Sequence, residues 1–400
     1  MRQPDTLILA GWLIDGYGGP ILKDMYMSVR DGRIRDLRKR ENSDGEHPRR
    51  VDFSGATILP HLVDSHVHLF MSGSDDPNVR ERQLISEYPA ARKVIESHLQ
   101  RHEECGVMAV RDGGDRSAHV LRYTSETEGA SRNVTIRSAG KAWRQPGRYG
   151  SLIGRPPPEG ITLAAAIALE DDGAEHIKIV NSGLNSLTDF GKTTPPQFNL
   201  NEFKAAVKAA DRRGLPVMVH ANGPEPVNIA VEAGCRSIEH GFFMGLNNLA
   251  TLADQGVFWV PTAVTMKAYS EMLVPGDPRR EGALRNLEHQ LEQLRQAHQI
   301  GVRVAAGSDA GSLGVDYGPG VIEEMRLLVE AGFSLSEAVQ CATMTGAELL
   351  NLAEKGILSV GQKADILAVQ GPPEGLFDQL QRNTILVHAG TFPRNWQTDV

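Results

Sequence analysis

The stretch Ala56-Thr57-Ile58-Leu59-Pro60-His61-Leu62-Val63-Asp64-Ser65-His66-Val67-His68 decides the fold of this chain. It is mostly apolar as far as Val63 and turns polar only at its end. Alternate residues of a strand share a face. His66 and His68 therefore project side by side from the C-terminal end of a predicted strand. Two neutral imidazoles offered at one spot suit zinc or a similar divalent ion. Taken alone, the pair reads equally well as two polar residues that finish a strand.

Four later residues change that balance. Lys178, His220, His240 and Asp309 each end a short apolar run: Ile177 to Val180, Pro216 to His220, Ser237 to His240, and Val302 to Asp309. Between about residues 56 and 355 such runs alternate with helical patterns, which argues for parallel βα units. Candidate strands end near His68, Asp112, Lys141, Val180, His220, His240, Thr262 and Asp309. In an α/β barrel, chemistry gathers at the C-terminal ends of the strands. Asn199 with Glu202, and Ser334 with Glu337, are capping-box starts. The second predicts a helix running to about Ala353, and Leu284, Leu287, Leu291 and Leu294 predict a helical core stripe. Short strand-like segments at both termini, such as Thr6 to Ala10 and Thr384 to His388, predict a small β-domain built from the two ends.

H-x-H, Lys, His, His and Asp, in that order at five strand ends, resemble the amidohydrolase superfamily in its binuclear, lysine-containing form. His176-Ile177-Lys178-Ile179, His220-Ala221-Asn222-Gly223, Ile238-Glu239-His240-Gly241 and Gly307-Ser308-Asp309-Ala310-Gly311 are similar to its branch of prolidase-type dipeptidases and amide and urea hydrolases. The resemblance implies a TIM (β/α)8 barrel over 56–355. It also implies a β-sandwich over 1–55 and 356–400, and the Gly361-x-x-Ala364-Asp365 tail is typical of such relatives. Two features depart from the pattern. Asn222 stands where those dipeptidases often have tyrosine, and His61 replaces a common glycine. His61 shares strand parity with Val63 rather than His66, so it is expected to face away from the histidine pair.

By the same resemblance, His66, His68 and Asp309 hold one divalent ion and His220 and His240 a second, with zinc the expected metal. Lys178 lies between apolar neighbours. Burial lowers the pKa of an unpaired ammonium, and a neutral amine reacts with CO2. The resemblance implies such a carbamate on Lys178, bridging the metals. The implied reaction is attack of a metal-bridging hydroxide on an amide, peptide or carbamoyl-type carbonyl of a small molecule. Asp309 carries the proton from the water to the leaving nitrogen. Asp64, one step deeper on the histidine face, reads as a buried supporting acid.

Three loop-like stretches fall on the same side: Phe70 to Asn78, Arg144 to Pro158 and Ser182 to Gln197. Arg144, Arg148 and Tyr149 are candidate binders of a substrate carboxylate. Asn222 is the candidate for orienting a neutral substrate, and Trp143, Phe70 and Tyr317 for an apolar wall.

Bulk composition sets the frame. A chain of 400 residues is long enough for a barrel and a smaller domain. Its net charge of −8 gives no footprint for nucleic acid. No apolar run approaches the length of a membrane span. The three cysteines, Cys105, Cys235 and Cys341, form no metal pair or disulfide framework and suit a reducing, cytoplasmic setting. Self-association is left open. Two other functions share the scaffold. A mononuclear deaminase or cyclic-imide hydrolase would usually lack the lysine and place an acid beside the fifth-strand histidine. A non-catalytic scaffold protein would lose metal ligands, and this chain keeps them all.

Overall fold

The computed structural model describes residues 6–41, 49–127, 133–382 and 384–391. The terminal segments meet in one six-stranded sheet, in the order Thr384–Val387, Ile366–Gln370, Arg50–Pro60, Thr6–Leu13, Leu22–Arg30, Arg33–Lys39. Asp31 and Gly32 close its hairpin at φ 52° and 73°. This is the left-handed geometry of the tight turn that matches strand twist. Ile8, Leu13, Met27, Ile34, Ile58 and Ile366 form a core belonging to that sheet.

Arg50–Pro60 hands over through His61 to Leu62–Val67, whose six residues are all buried. That strand runs parallel to Val107–Asp112, which pairs with Thr135–Ser138. A second, parallel sheet contains Ala142–Trp143, Ile177–Val180, Val217–Ala221, Ser237–His240, Phe258–Val260 and Arg303–Val304. Backbone bonds join the two sheets at both edges. Glu175 donates to the Ser138 carbonyl, Ser65 to Ala306, and Asp309 to His66. The result is a TIM-barrel-like α/β architecture with near-continuous apolar strands, as expected for parallel strands covered on both faces. Among the described residues, no helix is long and apolar enough to cross a membrane.

Both capping boxes form, at Asn199/Glu202 and Ser334/Glu337. The helix expected from Ser334 to Ala353 is, however, broken into Leu335–Cys341 and Met344–Leu349. The carbonyls of Cys341 and Ala342 accept from the strand amides of Ala306 and Val63 instead of continuing the helix, and Thr343 leaves helical geometry. The strand expected to reach Asp309 is regular only over Arg303–Val304. Beyond it, the amides of Ala305, Ala306 and Asp309 each bond a different neighbour, Trp259, Cys341 and His66. The strand expected near Lys141 is split into Thr135–Ser138 and Ala142–Trp143. In the helix Pro278–Gln299, Leu291 and Leu294 are buried but Leu284 is exposed. Much of its inward face is polar, formed by Asn286, Gln290 and Gln293.

Candidate metal centre

His66, His68 and Asp309 offer ligand atoms that all lie within 4.8 Å of one another. Asp309 Oδ1 is 3.5 Å from Nε2 of both histidines. Lys178 Nζ stands 3.5 Å from His66 Nε2. The His240 ring lies 5.0 Å from His66 and 4.5 Å from His220, centre to centre. All six residues named from the strand ends thus converge on one spot.

The imidazoles are prepared for a cation. His68 Nδ1 is 3.1 Å from the Gly114 carbonyl, and His220 Nε2 is 3.2 Å from that of Gly183. A carbonyl only accepts, so each of these nitrogens is the protonated one and the other carries a lone pair; that of His68 faces Asp309 at 3.5 Å. His66 Nδ1 meets the Glu239 carboxylate at 2.8 Å and His240 Nδ1 meets Thr262 Oγ1 at 2.7 Å. Outer partners of this kind set the tautomer of a metal-binding histidine. Burial pushes the pKa of all four downward, to about 4 for His68 and about 3 for His220, and the charge on Lys178 adds to the shift. Neutral imidazoles with an adjacent carboxylate are a fitting donor set for a divalent metal ion.

Lys178 is 1% exposed and, among the described residues, forms no ion pair. Burial lowers its amine from 10.5 to about 8, although Glu239 opposes the shift. A neutral amine is therefore accessible near physiological pH. Burial likewise raises Asp309 to about 6. Its second oxygen accepts from Ser312 Oγ at 2.8 Å.

Backbone strain marks the same place. His240, Thr262 and Asp309 have φ of 68°, 47° and 57°, a region that non-glycine residues seldom occupy. The strain turns the His240 carbonyl out of the ladder, where Gln290 Nε2 at 2.6 Å and Trp259 Nε1 at 2.9 Å donate to it. The polar face of the long helix, unforeseen from the leucine spacing, serves these strand ends. At position 113 a Cβ would sit 2.7 Å from His68, so glycine is required there.

Supporting acids lie below. Asp64 accepts from the Ser308 amide at 2.9 Å and from its hydroxyl at 2.5 Å. Asp112 accepts from Leu69 and Gly114, both at 2.9 Å, and so pins the chain after His68. Glu239 pairs with Arg111 at 2.7 Å as well as holding His66. Sequence reasoning passed over Glu239 and Arg111. The only signal was an acid directly before a candidate ligand histidine, on the opposite strand parity.

The centre floors a cleft of about 280 Å³. Met71, Tyr149, Gly150, Leu184 and Leu187 line it, so each of the three expected loops contributes. Tyr149 and Asn222 are in the lining, but Arg144 and Arg148 are not. Arg144 donates to the carbonyls of Gln145 and Arg148, and Arg148 to that of Pro195. Their guanidinium groups hold loop backbone. Asn222 is also committed, with Nδ2 on the Gly183 carbonyl and Oδ1 on the Phe242 amide. Among the described residues, the cleft lysine or arginine besides Lys178 is Arg80, which sequence reasoning missed. Its Nη1 bonds the carbonyls of Ser72 and Gly311. Trp143, Phe70 and Tyr317 are buried outside the lining. Tyr317 instead donates towards the carbonyls of His68 and Met71.

The signature of the amidohydrolase family matches residues 57–390. The chain belongs to the amidohydrolase family. It is similar to a solved Xaa-Pro dipeptidase with bound methionine, 28% identical at a TM-score of 0.78, covering 97% of this chain and 99% of that one. Ochratoxinase from Aspergillus niger is 23% identical over 409 residues, with 92% of this amidohydrolase and 82% of the relative covered. Imidazolonepropionase from Nocardia farcinica is 28% identical over 338 residues, covering 80% and 79%. Membership in this family supports an enzyme that hydrolyses amide-type carbon–nitrogen bonds.

Proposed function

We propose that this amidohydrolase is a metal-dependent enzyme that cleaves an amide, peptide or carbamoyl-type bond in a small molecule bearing a carboxylate. The observation that carries the reading is the convergence of four neutral, oriented imidazoles with Lys178 and Asp309 at the floor of one cleft. The fold we assign is a TIM (β/α)8 barrel, expected over 56–355, with a β-sandwich expected from 1–55 and 356–400; because Arg50–Pro60 lies in the terminal sheet, the first boundary moves to His61. His66, His68 and Asp309 would hold one zinc ion and His220 and His240 a second, with Lys178 as a carbamate between them. Bound divalent ions would supply Lewis acidity, activating water at neutral pH and polarising the scissile carbonyl.

The chain's own groups do the rest. Asp309 takes the proton of the attacking water and returns it to the leaving nitrogen. Ser312 holds that carboxylate in place through its hydrogen bond. Tyr149, Leu184, Leu187 and Phe242 wall the cleft against bulk water. Arg80 receives the substrate carboxylate, since its Nε and Nη2 make no hydrogen bond among the described residues. A dipeptide, the substrate class named for one similar structure, carries such a carboxylate. The three thiols are free and buried, which suits a cytoplasmic enzyme.

Two measurements test this reading. Elemental analysis of zinc-grown protein should show two divalent ions per chain that are lost when the cleft histidines are replaced, and chelation should abolish turnover until zinc is returned. Full activity with one ion there would replace the binuclear assignment by a mononuclear one. A panel of dipeptides, N-acyl amino acids, ureas and cyclic amides should show turnover concentrated in the acidic compounds. With the best of these, Arg80→Met should raise KM roughly 10- to 100-fold, the range of a charged hydrogen bond, while Arg144→Met and Arg148→Met stay near the parent. Equal KM changes for acidic and neutral substrates would remove Arg80 from carboxylate recognition.

A further inference from the structure

A second group of metal-type ligands lies away from the cleft, at the joint between the terminal sheet and the barrel-like body. His61 is the single residue between the strands Arg50–Pro60 and Leu62–Val67. Pairing in the terminal sheet places Ile366 opposite Pro60 on one side and opposite Val387 on the other. The adjoining positions on the three strands are His61, Asp365 and His388. Their ligand atoms lie within 4.8 Å of one another.

His61 is only 4% exposed, yet neither of its ring nitrogens makes a well-formed hydrogen bond, the backbone of Val387 offering only a poorly aligned contact. The Nε2 of His388 is buried and unpartnered as well. The two rings meet edge-on, 4.8 Å apart at 70°. Buried polar atoms are almost always satisfied, so three nitrogens without a well-formed hydrogen bond beside a carboxylate are an exception that needs an occupant. Asp365 Oδ1 already accepts from the Ala389 amide at 2.9 Å, which fixes the carboxylate beside the rings. Burial keeps both imidazoles neutral, His61 down at about 3, with Lys355 opposing and Asp365 favouring their charge; Glu103 also favours charge on His388. Two neutral imidazoles and one carboxylate form a zinc-type ligand set. Half-buried His388 leaves solvent access for a water as fourth ligand.

We propose that His61, Asp365 and His388 bind a zinc-class divalent ion, separate from the cleft, that ties the terminal sheet to the first barrel strand. The site is structural. None of its residues lines the cleft, so it stands whether or not the catalytic reading is correct.

Metal content of the full-length protein tests this. His388→Gln, His61→Asn and Asp365→Asn should each carry one zinc fewer per folded chain than the parent, with parental circular dichroism. Turnover at low temperature should stay within about twofold, whereas the rise in Tm on adding zinc should shrink. Anomalous diffraction from zinc-soaked crystals of the parent, recorded at the zinc edge, should show a peak between His61 and His388. That test does not depend on any variant folding. The proposal is overturned if the folded variants retain the parental zinc count, or if the crystals show zinc in the cleft and none at His61.

Discussion

Lys178→Ala should leave purification with most of its cleft metal gone and with turnover lower by roughly 10³-fold or more, equivalent to about 4 kcal/mol of lost transition-state stabilisation. The substitution removes a group that nothing nearby can replace. Lys178 is 1% exposed, and its amine faces His66 at 3.5 Å. If it carries the bridging carbamate, its loss also removes an anion that balances two cations. Formate or acetate should restore part of both metal and activity by entering the space. The chemistry has a pH sign. Burial puts the amine near 8, and only the neutral form reacts with CO2. The reactive fraction falls about tenfold for each pH unit below that value. Metal reloading of chelated protein should accordingly be faster at pH 8.5 than at pH 6.5 and should depend on added bicarbonate. A carbamate carbon resonance after labelling with 13CO2 would identify the adduct directly. An alanine variant with parental metal and turnover would make Lys178 a structural residue only.

Asp309→Asn should keep most of its metal but lose turnover by roughly 10²–10⁴-fold, the contribution of a positioned acid–base group. The four histidines and Lys178 remain, and an amide of the same shape can still accept from Ser312. What disappears is the capacity to take a proton. Burial raises the Asp309 carboxyl to about 6, and cations held beside it would pull that value down. In the parent, kcat/KM should therefore fall as pH drops through a value below 6, where the carboxylate is lost, and the variant should lack this limb. If the variant keeps both the rate and the acidic limb, proton transfer belongs to another group.

Much of the centre was legible because strand periodicity is local. Same-face side chains recur at every second residue, so His66 and His68 could be placed from the sequence; apolar runs marked Lys178, inside one of them, and His220, His240 and Asp309, at the ends of others. Capping boxes were legible for the same reason, since each is complete within four residues. What failed was non-local. Arg144 and Arg148 suited carboxylate binding by type, yet loop carbonyls claim them. Arg80 comes from a helix after a different strand and reaches the cleft only through the folded loops.

The sequence by itself determined the order of metal-type ligands, the alternation of strands and helices, and the contribution of both termini to a β-rich unit. Each is carried by residue type and spacing along the chain. The tertiary structure decided which nitrogen of His66, His68 and His220 is free, which arginine faces the cleft, why the helix after Ser334 breaks, and that His61, turned away from the cleft, meets Asp365 and His388. These depend on partners tens to hundreds of residues apart, whose approach is set by closure of the sheets and by the need to satisfy buried polar groups.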